Sequence, residues 1–152
     1  MTTDYGEGVV RRFWEDVFGR GDIDAMDEVF TADFKLHDLI YRQVHDLIET
    51  KRIVRDTHYR VPGARVVVED QRLDADGRVF TRFTVRVSPP MDAETSRQST
   101  PPGGEREYRG MSISRVVEGK IEESWLVWEA LRAAEELEPV FGVQEWRWPP
   151  WR

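Results

Sequence analysis

Glu129 is the side chain of this sequence best placed to move a proton. It closes a run, Ile121 to Glu129, of alternating character. Period-two alternation puts Ile121, Glu123, Trp125, Val127 and Glu129 on one face of a strand, and Glu122, Ser124, Leu126 and Trp128 on the other. With the first face lining a cavity, Glu129 is a carboxylate among aromatic and aliphatic groups. Desolvation then disfavours its ionised form and suits it to acid–base work near neutrality. Asp38 is the second candidate. It follows Phe34 and Leu36 at period two, so the three share a face. The competing reading of Asp38 is a cap on the turn into the next helix. His37 has the opposite parity, so a regular strand turns only one of the pair inward. Tyr108 and Ser112 share parity on a later strand, where a hydroxyl can hold a substrate oxygen. Trp125 and, on the opposite face, Trp128 are candidates for an apolar wall.

Other chemistries find no support. His37, His45 and His58 are 8 and 13 residues apart, not the three-to-four spacing of a metal-ligand pair. The chain has no cysteine, which removes disulfides, thiolate nucleophiles and cysteine metal sites, and fits a reducing cytoplasm. No Gly-rich loop follows a strand and opens a helix, and no nucleophile elbow is present. The expectation is a protein without metal, flavin or nicotinamide.

The elements that would position these groups follow from periodicity. Val9, Val10, Phe13, Val17 and Phe18 predict a helix over 5–19, stopped by Gly19 and Gly21. Asp22 is placed to cap a shorter helix bearing Ile23, Met26, Val29 and Phe30. A short extended piece over 33–38 precedes helical spacing over 43–59, which ends at Pro62-Gly63. From Ala64 the period becomes two. Strands are predicted over 64–73, 78–87, 105–117 and 120–129, with tight turns at 74–77 and Glu118-Gly119. A helix over about 130–138 follows. Helices first and a strand meander after predict an α+β fold, N-terminal helices packed against a curved antiparallel sheet of four long strands and one short. Residues 88–104 form a Pro- and Gly-rich loop, expected to be the most mobile internal segment and to border the cavity mouth. The expected division is one domain over 1–138 and a Trp-rich tail over 139–152. Trp146, Trp148 and Trp151 are expected to pack on the domain, on a sister subunit, or over the pocket mouth.

Bulk composition sets the partners. The chain has 152 residues, 39% hydrophobic and 34% charged, with a formal net charge of −7. That size suits one core, and the acidity argues against nucleic acid. Only 3 of the 22 basic residues are Lys, and the Arg residues alternate with acids instead of clustering. No apolar run is long enough to span a membrane. The N-terminus, MTTDYGEG, does not read as a secretory signal. A cytoplasmic location is expected.

Two stretches carry a family resemblance. VVRRFWEDVFGRGDIDAMDEVFTADFKLHDL, residues 9–39, resembles the opening of the SnoaL-like polyketide cyclases: helix, Gly-Asp break, second helix, strand and His-Asp pair. RGMSISRVVEGKIEESWLVWEAL, residues 109–131, resembles their strand, Gly-Lys-Ile turn, Glu, Trp, and an acid four residues beyond that Trp. The family belongs to the nuclear-transport-factor-2-like superfamily, with ketosteroid isomerase and limonene-epoxide hydrolase. The resemblance implies a cone-shaped domain with a deep apolar pocket, a homodimer or higher homo-oligomer, and mostly cofactor-independent chemistry. By the same resemblance Glu129 stands where the cyclases carry an Asp acid/base, and Asp38 where ketosteroid isomerase has its base. The sequence departs at Ser112, where many cyclases carry a His. It departs again at Arg82-Phe83-Thr84, where limonene-epoxide hydrolase has a carboxylate two residues after an Arg. Glu69 is the remaining candidate for a second carboxylate.

The implied function is a cyclase or isomerase acting by general acid–base catalysis on a hydrophobic polyketide- or terpenoid-type metabolite. Glu129, Asp38 and His37 would move protons. Tyr108, Ser112, Trp125, Trp128, Phe34 and Arg82 would hold the substrate. Epoxide opening is the first alternative and needs a second carboxylate beside Glu129. A non-catalytic small-molecule-binding domain is the second, and implies a very small cavity with Glu129 in solvent.

Overall fold

The computed structural model describes residues 2–61, 63–88 and 105–141. The loop and the Trp-rich tail on which two expectations fall lie almost entirely outside these residues. Helix α1 (Thr2–Arg11) runs directly into a π-helical segment (Arg12–Phe18). The wider π turn brings residues five apart into register. Phe13 and Phe18 accordingly meet edge to face at 5.2 Å. Asp22 caps the next turn as expected, its carboxylate accepting from the Ala25 N–H at 3.2 Å. A 3-10 turn (Ile23–Ala25) and the short α2 (Met26–Val29) lead into β1 (Phe30–Asp38), which is longer than the sequence suggested.

The predicted helix over 43–59 divides in two. Gln43–His45 forms strand β2, and α3 begins only at Leu47 and runs to Arg60. Val44 fits either period. The decisive residue is Asp46, whose side chain accepts from the Glu49 N–H at 2.8 Å and caps α3. Strands β3 (Arg65–Leu73), β4 (Arg78–Val87), β5 (Arg106–Val117) and β6 (Lys120–Trp128) follow the predicted spans closely, and α4 runs from Ala130 to Phe141. Glu118 and Gly119 both take positive φ, 50° and 79°, the requirement of a type I′ hairpin between β5 and β6.

The strands form one sheet in the order β2-β1-β6-β5-β4-β3. Every neighbour pair is antiparallel except β1 with β6, which is parallel. The sheet is therefore mixed, and it has six strands, five of them long, where the sequence reading expected an antiparallel sheet with a single short addition. Local period cannot report which distant strand will pair with β1. Register shifts interrupt β3 at Val68/Asp70 and the β5–β6 ladder at Arg115/Val116, and such bulges increase local twist and bend.

The helices cover one face of this curved sheet. The main core joins Val10, Phe13, Trp14 and Val17 to Phe34, Leu36, Val79, Phe83, Ile121 and Leu126. Gly110 is part of this design. A Cβ there would collide with the Phe83 ring and lie 2.7 Å from Trp128 Cβ, so the bare backbone lets both aromatics close over β5. A second cluster, with Tyr108, Val87, Ala133 and Leu137, lies under α4. Among the described residues no helix is long and apolar enough to cross a membrane.

Candidate functional site

Concavities open on both faces of the sheet. The inner one lies between the π-helical segment and the inner face, and is lined by Trp14, Phe18, Ala64, Val66, Phe83, Leu126 and Trp128, among others. Its free volume is about 50 Å³. The Trp14 ring forms part of its wall, stacked on Phe83 at 4.1 Å and on Phe13 at 4.5 Å. Its indole N–H donates to Ser112 Oγ at 3.1 Å, a buried bond from helix to sheet. The Trp14 signal was present in the sequence, four residues after Val10, but the π turn that aims it at Ser112 was not.

Asp38 is buried, 2% exposed, at the end of β1. It shares the inner face with Phe34 and Leu36 and is the register partner of Leu126 in the cavity wall. Its Oδ1 accepts from the Ile40 N–H at 2.9 Å and the Tyr41 N–H at 3.1 Å. It faces inward and it also caps a turn, but that turn leads into strand β2 and not into a helix as expected. Phe34 itself is core, tilted against Phe30 at 4.1 Å, and does not line the cavity.

Glu129 stands elsewhere than its expected place. The parity grouping with Glu123, Trp125 and Val127 is as read, but the helices cover the opposite face, that of Ser124, Leu126 and Trp128. Ile121 is buried despite its odd number because the β5–β6 register shifts beside it. The Glu129 side chain is 39% exposed. Its Oε1 accepts from the Arg109 N–H at 2.8 Å and its Oε2 pairs with Arg132 at 3.1 Å. The Arg109 backbone donor, aided by Arg132, outweighs a small desolvation cost and holds the carboxyl below the usual glutamate range. That is the reverse of a raised carboxyl. Glu129 borders a polar cleft of about 390 Å³ with Arg106, Arg109 and Arg132.

His37 also lies on the outer face. Its ring stacks on Trp125 at 5.0 Å and 6°, and its Nε2 is 2.7 Å from Glu123 Oε2. Arg115 pairs with the other oxygen of Glu123 at 2.7 Å. His37 and Asp38 are thus divided by the sheet. Trp125, Arg82 and Glu129 line an open groove of about 670 Å³ on that outer face, with Phe80, Met111 and Val127.

Tyr108 is fully buried beneath α4, where its hydroxyl donates to Glu136 Oε1 at 2.9 Å. Burial and the Glu136 carboxylate both push the phenol up. The residue fastens α4 instead of facing the cavity with Ser112, because the sheet carries the two positions past different helices. Glu69 is exposed at the β3 bulge. Among the described residues no group of three His, Asp or Glu side chains is placed to hold a metal ion.

N-terminal helices held in a curved, unclosed mixed sheet, with an apolar cavity between them, define the cone-shaped α+β class. The chain belongs to the SnoaL-like domain family, whose sequence model matches residues 10–124. No curated protein matches the sequence. Among solved structures it is similar to wild-type IdmH of Streptomyces antibioticus, a proposed polyketide cyclase. The TM-score is 0.70 at 20% identity, over 87% of this chain and 97% of IdmH. A proposed polyketide cyclase of Bacillus cereus also gives 0.70, at 18% identity over 90% and 82% of the two chains. PrhC of Penicillium brasilianum gives 0.74, at 13% identity over 95% and 93%. At these identities the likeness is one of fold.

Proposed function

We propose that this chain is a cofactor-independent cyclase or isomerase acting by general acid–base catalysis on a hydrophobic polyketide- or terpenoid-type metabolite, with Asp38 as its proton-handling carboxylate. The observation that carries the reading is the Asp38 carboxyl itself, buried, oriented by two backbone donors and next in the sheet to Leu126 of the apolar cavity. A fixed carboxylate can take a proton from the carbon beside a carbonyl, and return it elsewhere on the same skeleton. Ser112 accepts from Trp14, so its own O–H can donate to the carbonyl oxygen as charge develops there. Metabolites of this class need roughly 300–1,000 Å³, so binding must move the Trp14 ring off Phe83.

A second reading, a non-catalytic small-molecule-binding domain, draws on the present cavity volume of about 50 Å³ and on the half-exposed Glu129. Epoxide opening draws less, because Glu69 is exposed and away from the inner cavity.

The test uses a panel of poly-β-ketones and bicyclic β,γ-unsaturated ketones, with conversion followed by ultraviolet absorbance. Wild-type protein is expected to accelerate at least one. Asp38→Asn should lose about 100- to 10,000-fold in rate, and Glu129→Gln should stay near wild type. Binding without turnover would support the second reading. Full activity in a folded Asp38→Asn variant would remove Asp38 from the mechanism.

A further inference from the structure

Thr57 has no part in the roles assigned above, yet among the described residues it brings the one hydroxyl to the lining of the inner cavity. We infer that Thr57 binds an oxygen of an uncharged, sparsely oxygenated ligand, so that the substrate class of this cavity is a terpenoid-type ketone and not a poly-β-ketone. The inference rests on the function proposed above and narrows its substrate.

The local helix leaves the hydroxyl available. A helical Thr often bonds back to the carbonyl four residues earlier, and Thr50 does so, donating to Asp46 O at 2.7 Å. Half-buried Thr57 makes no such bond among the described residues; only its backbone carbonyl is engaged, by the Val61 N–H at 2.7 Å. The lining around it is apolar and carries no charged side chain. Its other polar atoms are the indole N–H groups of Trp14 and Trp128. The Trp14 N–H is already given to Ser112 Oγ, and the Trp128 ring stands edge-on to Tyr108 at 6.4 Å.

This supply of donors fits few oxygens. A poly-β-ketone has an oxygen on every second carbon. Inside this lining most of them would lose water and gain no partner, which is costly for each. A charged ligand would lose its hydration with no counter-charge to replace it. A skeleton with one or two oxygens avoids both penalties. Thr57 is the donor it meets while the Trp14–Ser112 bond is intact, and Ser112 serves the reacting carbonyl. Ile53, one turn before Thr57 on α3, clusters with Ile40 and Tyr41, whose N–H groups hold Asp38. An oxygen on Thr57 therefore fixes the skeleton against α3, beside the turn that carries the carboxylate. A site that hydrogen-bonds a ligand oxygen discriminates strongly against analogues that lack it.

Isothermal titration calorimetry on the full chain tests the assignment without any turnover. The free volume of about 50 Å³ makes small probes the right choice. Three of similar size are menthone, with one ketone; p-cymene, with the same carbon skeleton and no oxygen; and 2,4,6-heptanetrione. Wild type should bind menthone at least about 10-fold more tightly than the trione. Thr57→Val keeps the shape and removes the hydroxyl. It should weaken menthone binding by about 10-fold and leave p-cymene within about twofold. Thr57→Ser should recover most of the menthone affinity, and thermal melts of both variants should match wild type. Menthone that fails to bind, menthone binding unchanged in Thr57→Val, an equal loss for menthone and p-cymene, or tighter binding of the trione would each overturn the inference. None of these outcomes depends on Asp38. A failure here with activity still lost in Asp38→Asn would strike the substrate class and leave the proposed mechanism standing. The opposite pair of results would leave a Thr57 binding site without that mechanism.

Discussion

At the scale of single residues, Trp14 and Ser112 decide more than any titrating group. One hydrogen bond of 3.1 Å ties the π-helical segment to β5 across the core. Removing its acceptor leaves a buried indole N–H without a partner, which costs about 1–3 kcal/mol. Ser112→Ala is therefore expected to lower the urea midpoint without changing the slope of the transition, as read by tryptophan fluorescence. A midpoint equal to wild type would mean that the indole finds another partner when Ser112 is lost. Glu129 shows how far a sequence reaches at this scale. Strand parity grouped it with the right neighbours, and the sequence could not say which group meets the helices. That choice is made by α1, α3 and the π-helical segment, which are distant in sequence. Tyr108 repeats the lesson. Its shared parity with Ser112 was legible, but its partner Glu136 comes from a helix and lies 28 residues later.

At the scale of elements, β5 depends on a missing side chain. Gly110→Ala would drive a methyl group into Phe83 and Trp128, and overpacking of this kind costs about 1–3 kcal/mol. A thermal melt of the variant should show the loss, and a melt unchanged from wild type would mean that both rings can move aside. Helix α4 depends on carboxylates. Glu129 is held low first by the Arg109 backbone donor. For Glu136 desolvation pulls upward, but hydrogen bonds from Tyr108 and Arg132 outweigh it, so its carboxyl is also lowered. A carboxyl lowered on folding stabilises fully above the ordinary glutamate value of 4.5. The contribution fades as pH falls through the lower folded value. Acidification below 4.5 should thus loosen α4 from β5 before the sheet opens. Amide exchange by NMR should show it as early loss of protection at Arg109, and simultaneous loss across β4 and β5 would contradict it. The element boundaries follow the same division between local and distant causes. The β3 to β6 spans and the Glu118-Gly119 turn were legible because alternation and turn chemistry are local. Strand β2 was hidden because Val44 satisfies a helical and an extended period alike; the Asp46 cap keeps it out of α3, and its pairing with β1 makes it a strand.

At the scale of the whole molecule, strand order predicts a gradient of stability. β5 and β6 are interior strands, paired on both sides, whereas β2 is a three-residue edge strand. Native-state hydrogen exchange should find the slowest amides in β5 and β6 and the fastest strand amides in β2, with β3 between them. Equal protection in β2 and β5 would show that the sheet opens only as one unit. The parallel pairing of β1 with β6 closes a separation of almost the entire domain, which makes it a late and slow contact to form.

The sequence by itself determined the α+β class, the cap at Asp22, most strand spans, the common face of Asp38 with Phe34 and Leu36, and that of Glu129 with Glu123, Trp125 and Val127. Each depends on side chains within a few positions of one another, where period and capping chemistry act. Only the tertiary structure decided which face of the sheet is interior, that β1 runs parallel to β6, and that Trp14 walls the cavity and reaches Ser112. Those outcomes depend on which apolar face the helices cover. That is settled by burial summed over segments far apart in the chain, and no local pattern records it.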